Sequence, residues 1–86
     1  MDNTAQIILR QFVTESLRDA GDQQDFTDDS SLFVSGRLDS LSMTKLVMFL
    51  EDTFQIDFVK VDFDVDLIDS LNDMRAFVNT ELARRA

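Results

Sequence analysis

The stretch Leu32-Phe33-Val34-Ser35-Gly36-Arg37-Leu38-Asp39-Ser40-Leu41 decides how this chain is organised. It leads from an irregular, acidic segment into the clearest amphipathic helix of the sequence, and it puts Ser40 in the first turn of that helix. Asp39 is a favourable N-cap residue, and Gly36 permits a sharp backbone path into the helix. We therefore expect a serine displayed at a helix start, directly after a long loop.

Apolar residues recur at helical spacing on both sides of this stretch and predict further helices. The first helix is expected over residues 4–20, followed by Gly21, a residue that can take the left-handed conformation of a helix end. The second is expected to start after Asp39 and to run to about Phe54, and the last to start at Ser70. The predicted apolar stripes are Ile8, Leu9, Phe12, Val13 and Leu17 in the first helix, Leu46, Val47, Leu50 and Phe54 in the second, and Leu71, Met74, Phe77, Val78 and Leu82 in the last.

Two segments lack a sustained helical period. Residues 21–38 are expected to form a long loop, pinned to the core by Phe26, Leu32 and Phe33. Residues 56–61 alternate apolar and polar, but a lone strand would have no partner, so we predict a connector followed by a short helical turn over residues 63–68. The prediction is an all-α fold: a small four-helix bundle with a long first loop and a short third helix, forming a single domain over residues 1–86.

Composition limits the classes of function. The chain has 17 acidic and 8 basic side chains, a net charge of −9, and neither cysteine nor proline. This charge disfavours nucleic acid and anionic lipid and favours partners with basic patches. The longest apolar run, Leu46 to Leu50, is far short of the ~20 residues that span a membrane. We expect a soluble, cytoplasmic, monomeric protein with no metal site of its own.

Ser40 is the residue at which chemistry is expected. The chain has no histidine to activate a serine nucleophile, which argues against a hydrolase. The N–H groups and the dipole at a helix start favour a phosphate, so Ser40 could carry a phosphodiester added by another enzyme. Asp39 could help bind the metal-bound phosphodonor of that enzyme. On these grounds alone, an ordinary first-turn serine remains an open alternative.

Gly36 and Asp39-Ser40-Leu41, followed by Leu46, Leu50 and Phe54, resemble the acyl carrier protein family, which includes fatty-acid, polyketide, peptidyl and D-alanyl carriers. The resemblance extends over nearly the whole chain. It implies a non-catalytic carrier with a 4′-phosphopantetheine arm on Ser40, within a motif formed with Gly36, Asp39 and Leu41. It also implies three kinds of partner: a phosphopantetheinyl transferase that uses coenzyme A and Mg²⁺, an acyl- or aminoacyl-loading enzyme, and a downstream synthase or transferase. The arm would hold the acyl or aminoacyl group as a thioester.

A second Asp-Ser-Leu tripeptide occurs at residues 69–71. Ser70 lacks an upstream glycine, lies closer to the C-terminus than the attachment position of the family, and has Asp73 at the spacing of a helix cap. We therefore assign Ser70 to structure and Ser40 to function.

The outer face of the second helix and the loop before it are expected to dock partner enzymes. The candidate residues are Arg37, Leu41, Thr44, Lys45, Met48, Glu51 and Asp52. Fatty-acid carriers usually have an acidic second helix from its first turns, whereas this helix has Ser42 and Lys45 there. The likeness therefore favours a free-standing carrier of a dedicated pathway, such as polyketide or other secondary-metabolite biosynthesis. An aminoacyl, peptidyl or D-alanyl carrier and a fatty-acid carrier are the alternatives.

Two other classes of function share features with this sequence. Asp62, Asp64 and Asp66 are spaced like the start of an EF-hand loop, but Leu67 and Asp73 stand where that loop needs glycine and glutamate. Calcium binding is therefore not expected. An acidic helical adaptor without a prosthetic group is compatible with the composition, and only the family resemblance argues against it.

Overall fold

A computed structural model describes residues 3–84, which fold into three α-helices joined by irregular segments. The helices are α1 (Asn3–Asp19), α2 (Ser40–Phe54) and α3 (Leu71–Arg84), and two 3-10 turns, Phe58–Lys60 and Val65–Leu67, lie between α2 and α3. The described residues contain no strand. The all-helical prediction is therefore confirmed, and the three long helices lie where the apolar periods predict them.

The fourth helix of the predicted bundle is not confirmed. The segment expected to hold it contains only the turn Val65–Leu67. The Asp64 side chain accepts a hydrogen bond from the N–H of Asp66 at 2.9 Å. This bond caps the start of the turn, and the turn ends at Ile68, whose backbone (φ −134°, ψ 19°) is not helical. Ile68 then enters the core, with no exposed surface.

One apolar core is shared by the three helices and the irregular segments. Its buried members are Leu9, Val13, Leu17, Leu32, Phe33, Leu38, Leu46, Leu50, Phe54, Ile56, Ile68, Leu71, Met74, Phe77 and Val78. Most predicted stripe residues are among them. Phe12 and Leu82 are only partly buried, and Val47 is also intermediate. Ile8 was predicted to face inward but is 37% exposed, because it lies at the edge of a stripe centred on Leu9 and Val13.

A residue with left-handed backbone follows the C-terminal end of α1 and of α2. Gly21 has φ +80° and donates its N–H to the carbonyl of Arg18, which ends α1 as predicted. The C-cap of α2 is Gln55, which has φ 58° although it is not glycine. These caps fix where the chain leaves α1 and where α2 stops.

The long loop between α1 and α2 is anchored in its middle by Asp28. Its carboxylate receives hydrogen bonds from Arg10 of α1 at 2.7 Å and from Arg75 of α3 at 3.0 Å. These arginines hold the pKa of Asp28 below its usual value, the contribution of Arg75 being the larger. The guanidinium of Arg10 also lies over the ring of Phe26, 5.0 Å from its centroid. The loop that leads to Ser40 is thus tied to both flanking helices.

Candidate functional site

Ser40 is the first residue of α2, and its side chain is exposed. The preceding residue, Asp39, is the N-cap, and its Oδ1 accepts the N–H of Ser42 at 2.9 Å. The Ser40 carbonyl accepts the hydroxyl of Thr44 at 3.0 Å, but the Ser40 hydroxyl has no hydrogen-bond partner among residues 3–84. The structure therefore leaves this hydroxyl open to an incoming group.

The electrostatics of the helix start suit an anion on Ser40 and a cation near Asp39. The backbone N–H groups of a first helical turn carry partial positive charge. The pKa of Asp39 is lowered, chiefly by the hydrogen bond from the N–H of Ser42, so Asp39 is a carboxylate at neutral pH. A phosphate ester on Ser40 would lie at the positive end of α2, beside the exposed carboxylate of Asp39.

Gly36 closes the turn that precedes the helix. It has φ +85°, and its N–H donates to the carbonyl of Phe33 at 3.0 Å. A Cβ placed on it would meet nothing within 4 Å, so the need for glycine is conformational and not steric. Two residues later the N–H of Leu38 donates to the carbonyl of Leu32 at 2.7 Å. This bond sets the path of the chain into Asp39.

Six of the predicted docking residues form one exposed stripe on α2. They are Leu41, Thr44, Lys45, Met48, Glu51 and Asp52, and all are exposed. Leu41 is 62% exposed and Met48 is 58% exposed, which is unusual for large apolar side chains. Spacings of three and four residues put them on the same side of the helix. We call this set the docking stripe.

Arg37 does not belong with that stripe. Its Nε donates to Oδ2 of Asp22 at 2.8 Å, and its Nη2 donates to the carbonyl of Gln24 at 2.9 Å. The ion pair with Asp22 raises the pKa of Arg37 and lowers that of Asp22. The side chain of Arg37 is only 19% exposed and its charge is paired within the loop, and its role in docking stays a prediction.

The second Asp-Ser-Leu tripeptide is built in a different helical register. Ser70 is the residue before α3, is 6% exposed, and accepts the N–H of Asp73 on its hydroxyl at 3.1 Å. Its predicted capping role is confirmed. In the first tripeptide the aspartate is the N-cap and the serine is the first helical residue, whereas in the second the serine precedes the helix and caps it. The two serines therefore differ in exposure and in hydrogen bonding.

Asp69 is a residue whose role the sequence did not reveal. Its carboxylate accepts the hydroxyl of Ser31 at 2.5 Å and the N–H groups of Phe33 and Val34 at 2.7 and 2.9 Å. Partial burial raises the pKa of Asp69, but these hydrogen bonds outweigh it and the net pKa is lowered. The only signal in the sequence is that the aspartate recurs in a tripeptide whose serine has another use.

The aspartates with EF-hand-like spacing do not converge on a common point. Within residues 3–84, no group of three or more His, Cys, Asp or Glu side chains could hold a metal ion. None of the helices in the described part of the chain is long and apolar enough to cross a membrane.

The described residues thus form a small helical domain with an exposed serine at the start of α2. Residues 9–78 match the model of a protein family described as the phosphopantetheine attachment site. The chain belongs to this family, whose members carry a covalently attached 4′-phosphopantetheine. Such carrier domains are generally non-catalytic, are modified by a phosphopantetheinyl transferase and interact with partner enzymes. Comparisons with curated proteins and with solved structures found no match.

The site is compatible with this prosthetic group. The matched segment includes both Asp-Ser-Leu tripeptides, so the match alone does not choose between Ser40 and Ser70. Only Ser40 combines an exposed hydroxyl, no hydrogen-bond partner among the described residues and a helix N-terminus that can stabilise a phosphate.

Proposed function

We propose that Ser40 is the attachment residue for 4′-phosphopantetheine and that the chain carries an acyl or aminoacyl group as a thioester on that arm. The observation that carries this proposal is the contrast between the two serines. Ser40 is exposed with an unengaged hydroxyl, whereas Ser70 is 6% exposed and its hydroxyl caps α3. A transferase can approach the first and not the second.

The proposed modification is a phosphoryl-group transfer from coenzyme A. The Ser40 Oγ forms a bond to the phosphorus that bears the pantetheine, the phosphoanhydride P–O bond breaks, and adenosine 3′,5′-bisphosphate leaves. The hydroxyl proton passes to a base of the transferase, because the chain has no histidine. Mg²⁺ bound by the transferase would neutralise charge on the phosphates, and the ionised Asp39 would supply an oxygen ligand to it. The chain has no cysteine, so the thiol that bears the cargo is that of the arm.

The exposed apolar residues of the docking stripe favour a partner that has an apolar contact surface near the entrance of its active site. Leu41 and Met48 are the large apolar side chains of the stripe, and Lys45 lies between them. The acidic members, Glu51 and Asp52, come only at the C-terminal half of α2. We infer that a transferase or loading enzyme covers Leu41 and Met48 and places basic side chains towards Glu51 and Asp52.

We further infer that the chain works as a free-standing, cytoplasmic, monomeric carrier in a dedicated pathway such as polyketide or other secondary-metabolite biosynthesis. The absence of acidic residues in the first turns of α2, where Ser42 and Lys45 stand, argues against general fatty-acid synthesis. An aminoacyl, peptidyl or D-alanyl cargo remains the alternative within the same carrier mechanism.

Intact-mass spectrometry tests the attachment. The apo protein is incubated with coenzyme A, Mg²⁺ and a promiscuous phosphopantetheinyl transferase. We expect the wild type to gain one phosphopantetheine, Ser40→Ala to gain none and Ser70→Ala to gain one, with circular dichroism establishing that each variant is folded. If several transferases leave the wild type unmodified, the adaptor without a prosthetic group becomes the better explanation. Labelling that persists in Ser40→Ala would refute the site.

A further inference from the structure

Asp69 joins the start of α3 to the loop that precedes Ser40. Its two carboxylate oxygens take different donors: Oδ1 accepts the N–H groups of Phe33 and Val34, and Oδ2 accepts the hydroxyl of Ser31. Its main-chain carbonyl accepts the N–H of Leu32 at 2.8 Å. One residue therefore receives a hydrogen bond from each of residues 31–34. We call this set of bonds the Asp69 clasp.

Hydrogen bonds within the loop extend the clasp towards the helix start. The hydroxyl of Ser31, which donates to Asp69, also accepts the N–H of Ser35 at 3.1 Å. The hydroxyl of Ser35 in turn donates to the carbonyl of Ser31 at 2.6 Å. The carbonyl of Leu32 accepts the N–H of Leu38, two residues before Ser40. Residues 31–38 are thus linked by hydrogen bonds to Asp69 and to one another, and they lead directly into the N-cap Asp39. We call residues 31–38 the frame.

Side-chain exposure changes abruptly between Phe33 and Val34 in this frame. Leu32 is fully buried and Phe33 is 9% exposed, whereas the next residue, Val34, is 66% exposed. The two N–H groups that Asp69 binds belong to the last buried residue and the first exposed one. The clasp therefore fixes the point at which the chain leaves the core and turns towards Gly36 and the helix start.

We propose that Asp69 is a positioning residue for the modification of Ser40: it holds residues 31–34 so that the loop and the first turn of α2 meet the phosphopantetheinyl transferase in one fixed conformation. The inference rests on the proposed attachment at Ser40. It gives the second Asp-Ser-Leu tripeptide a function, because its serine caps α3 while its aspartate orders the surface around the first tripeptide. Asp69 touches neither Ser40 nor the transferred group in the described contacts, so it acts only through the loop.

The chemistry of the clasp predicts a graded response to substitution. Alanine removes every side-chain acceptor. Asparagine keeps one oxygen, which can still accept the N–H groups of Phe33 and Val34, but it replaces the acceptor of the Ser31 hydroxyl by an amide group. Charge-assisted hydrogen bonds are roughly twice as strong as neutral ones, so Asp69→Asn should be intermediate.

Steady-state kinetics of the transferase on the full chain test the proposal. The varied substrate is the apo carrier, and coenzyme A is saturating. We expect Asp69→Ala to lower kcat/KM for the carrier about tenfold, since small misplacement of a reacting group costs up to 10²-fold in rate. Asp69→Asn should show a smaller loss, and the KM for coenzyme A should not change. Asp28→Ala is the matched control, because Asp28 also anchors this loop through two ion pairs but makes no side-chain bond to residues 31–38.

All assays are run at a temperature at which circular dichroism shows every variant fully folded, so that loss of stability alone does not change the rate. If Asp69→Ala cannot be obtained folded, Asp69→Asn and Ser31→Ala replace it, and both should be slower than Asp28→Ala. Equal kcat/KM for the Asp69 and Asp28 variants would overturn the positioning role and leave attachment at Ser40 intact. A wild type that is modified elsewhere, or not at all, would overturn both.

Discussion

Replacing Leu32 by alanine tests whether the long loop is part of the core. Leu32 lies outside every helix, yet its side chain is fully buried. Its backbone bonds, to Asp69 and from Leu38, do not involve the side chain, so the substitution removes apolar packing and leaves them in place. Leu→Ala substitutions at fully buried sites cost about 3–5 kcal/mol. We expect Leu32→Ala to lower the free energy of unfolding by about 3 kcal/mol, which is a large part of the 5–15 kcal/mol typical of a domain.

Two controls bracket that result. Leu50, at the centre of α2, is also fully buried, so Leu50→Ala should cost a similar amount. Val34 is two residues from Leu32 in the same loop but 66% exposed, and Val34→Ala should change the free energy of unfolding by less than about 0.5 kcal/mol. Urea unfolding followed by circular dichroism measures all three, and an unchanged m value would show that the variants unfold from the same compact state.

A small effect of Leu32→Ala would refute this reasoning. If its cost were below about 1 kcal/mol and close to that of Val34→Ala, the loop would not be packed as a core element. The frame of residues 31–38 would then lack its apolar anchor, and a single carboxylate could not be expected to hold it. Melting temperature provides a second measure, since about 3 kcal/mol corresponds to a fall of roughly 12–24 °C in a domain of this size.

Three further predictions concern docking, acid stability and backbone conformation. Met48→Ala should raise the KM of the transferase for the carrier about fivefold, as expected when an interface residue that contributes about 1 kcal/mol is truncated. Ile7 on α1 is equally exposed and apolar, and Ile7→Ala should leave this KM unchanged. Equal effects of the two substitutions would contradict the docking stripe. Because the pKa of Asp28 is lowered, its ion pairs stabilise the fold fully above its usual pKa of 3.8, and this stabilisation is lost as the pH falls through the lowered pKa. The wild type should therefore melt at a higher temperature than Asp28→Asn at pH 7, and this difference should disappear in acid. A difference that persists unchanged at low pH would count against this assignment. Gln55→Gly should increase the free energy of unfolding by about 0.5–1 kcal/mol and Gly36→Ala should decrease it by about 1–2 kcal/mol, because both residues have left-handed backbone; changes of the same sign would rule this out.

The helices could be predicted from the sequence because their signal is periodic. Leu9, Val13 and Leu17 recur every four residues, and the pattern remains visible whatever the rest of the chain does. The segment around Val65 has apolar residues near helical spacing, which predict a short helix. Only a single 3-10 turn forms, because the backbone of the fully buried Ile68 is not helical (φ −134°, ψ 19°).

The polar contacts of the site could not be predicted in this way. Arg37 pairs with Asp22, which lies 15 residues earlier, and Asp69 binds backbone N–H groups 35 and 36 residues earlier. No period links such partners, and each depends on how the loop folds back over the core. Arg37 lies in the loop before α2 that is predicted to dock partners, but the sequence did not reveal that its charge is paired with Asp22.

The two Asp-Ser-Leu tripeptides show why neighbouring letters do not define a site. Both follow a buried aliphatic residue, Leu38 or Ile68. They diverge at the leucine: Leu41 is 62% exposed, whereas Leu71 is 1% exposed.

In its tripeptide α3 begins one residue later than α2 does, so the N-cap falls on the serine instead of the aspartate. An N-cap side chain folds back onto the N–H groups of the first turn, while the side chain of the next residue is left free. The two aspartates therefore make different contacts: the carboxylate of Asp39 caps α2, whereas the carboxylate of Asp69 binds the loop. The hydroxyl of Ser40 thus lacks a partner because Asp39 occupies the cap, and the loop before it is ordered because Ser70 has taken the cap from Asp69.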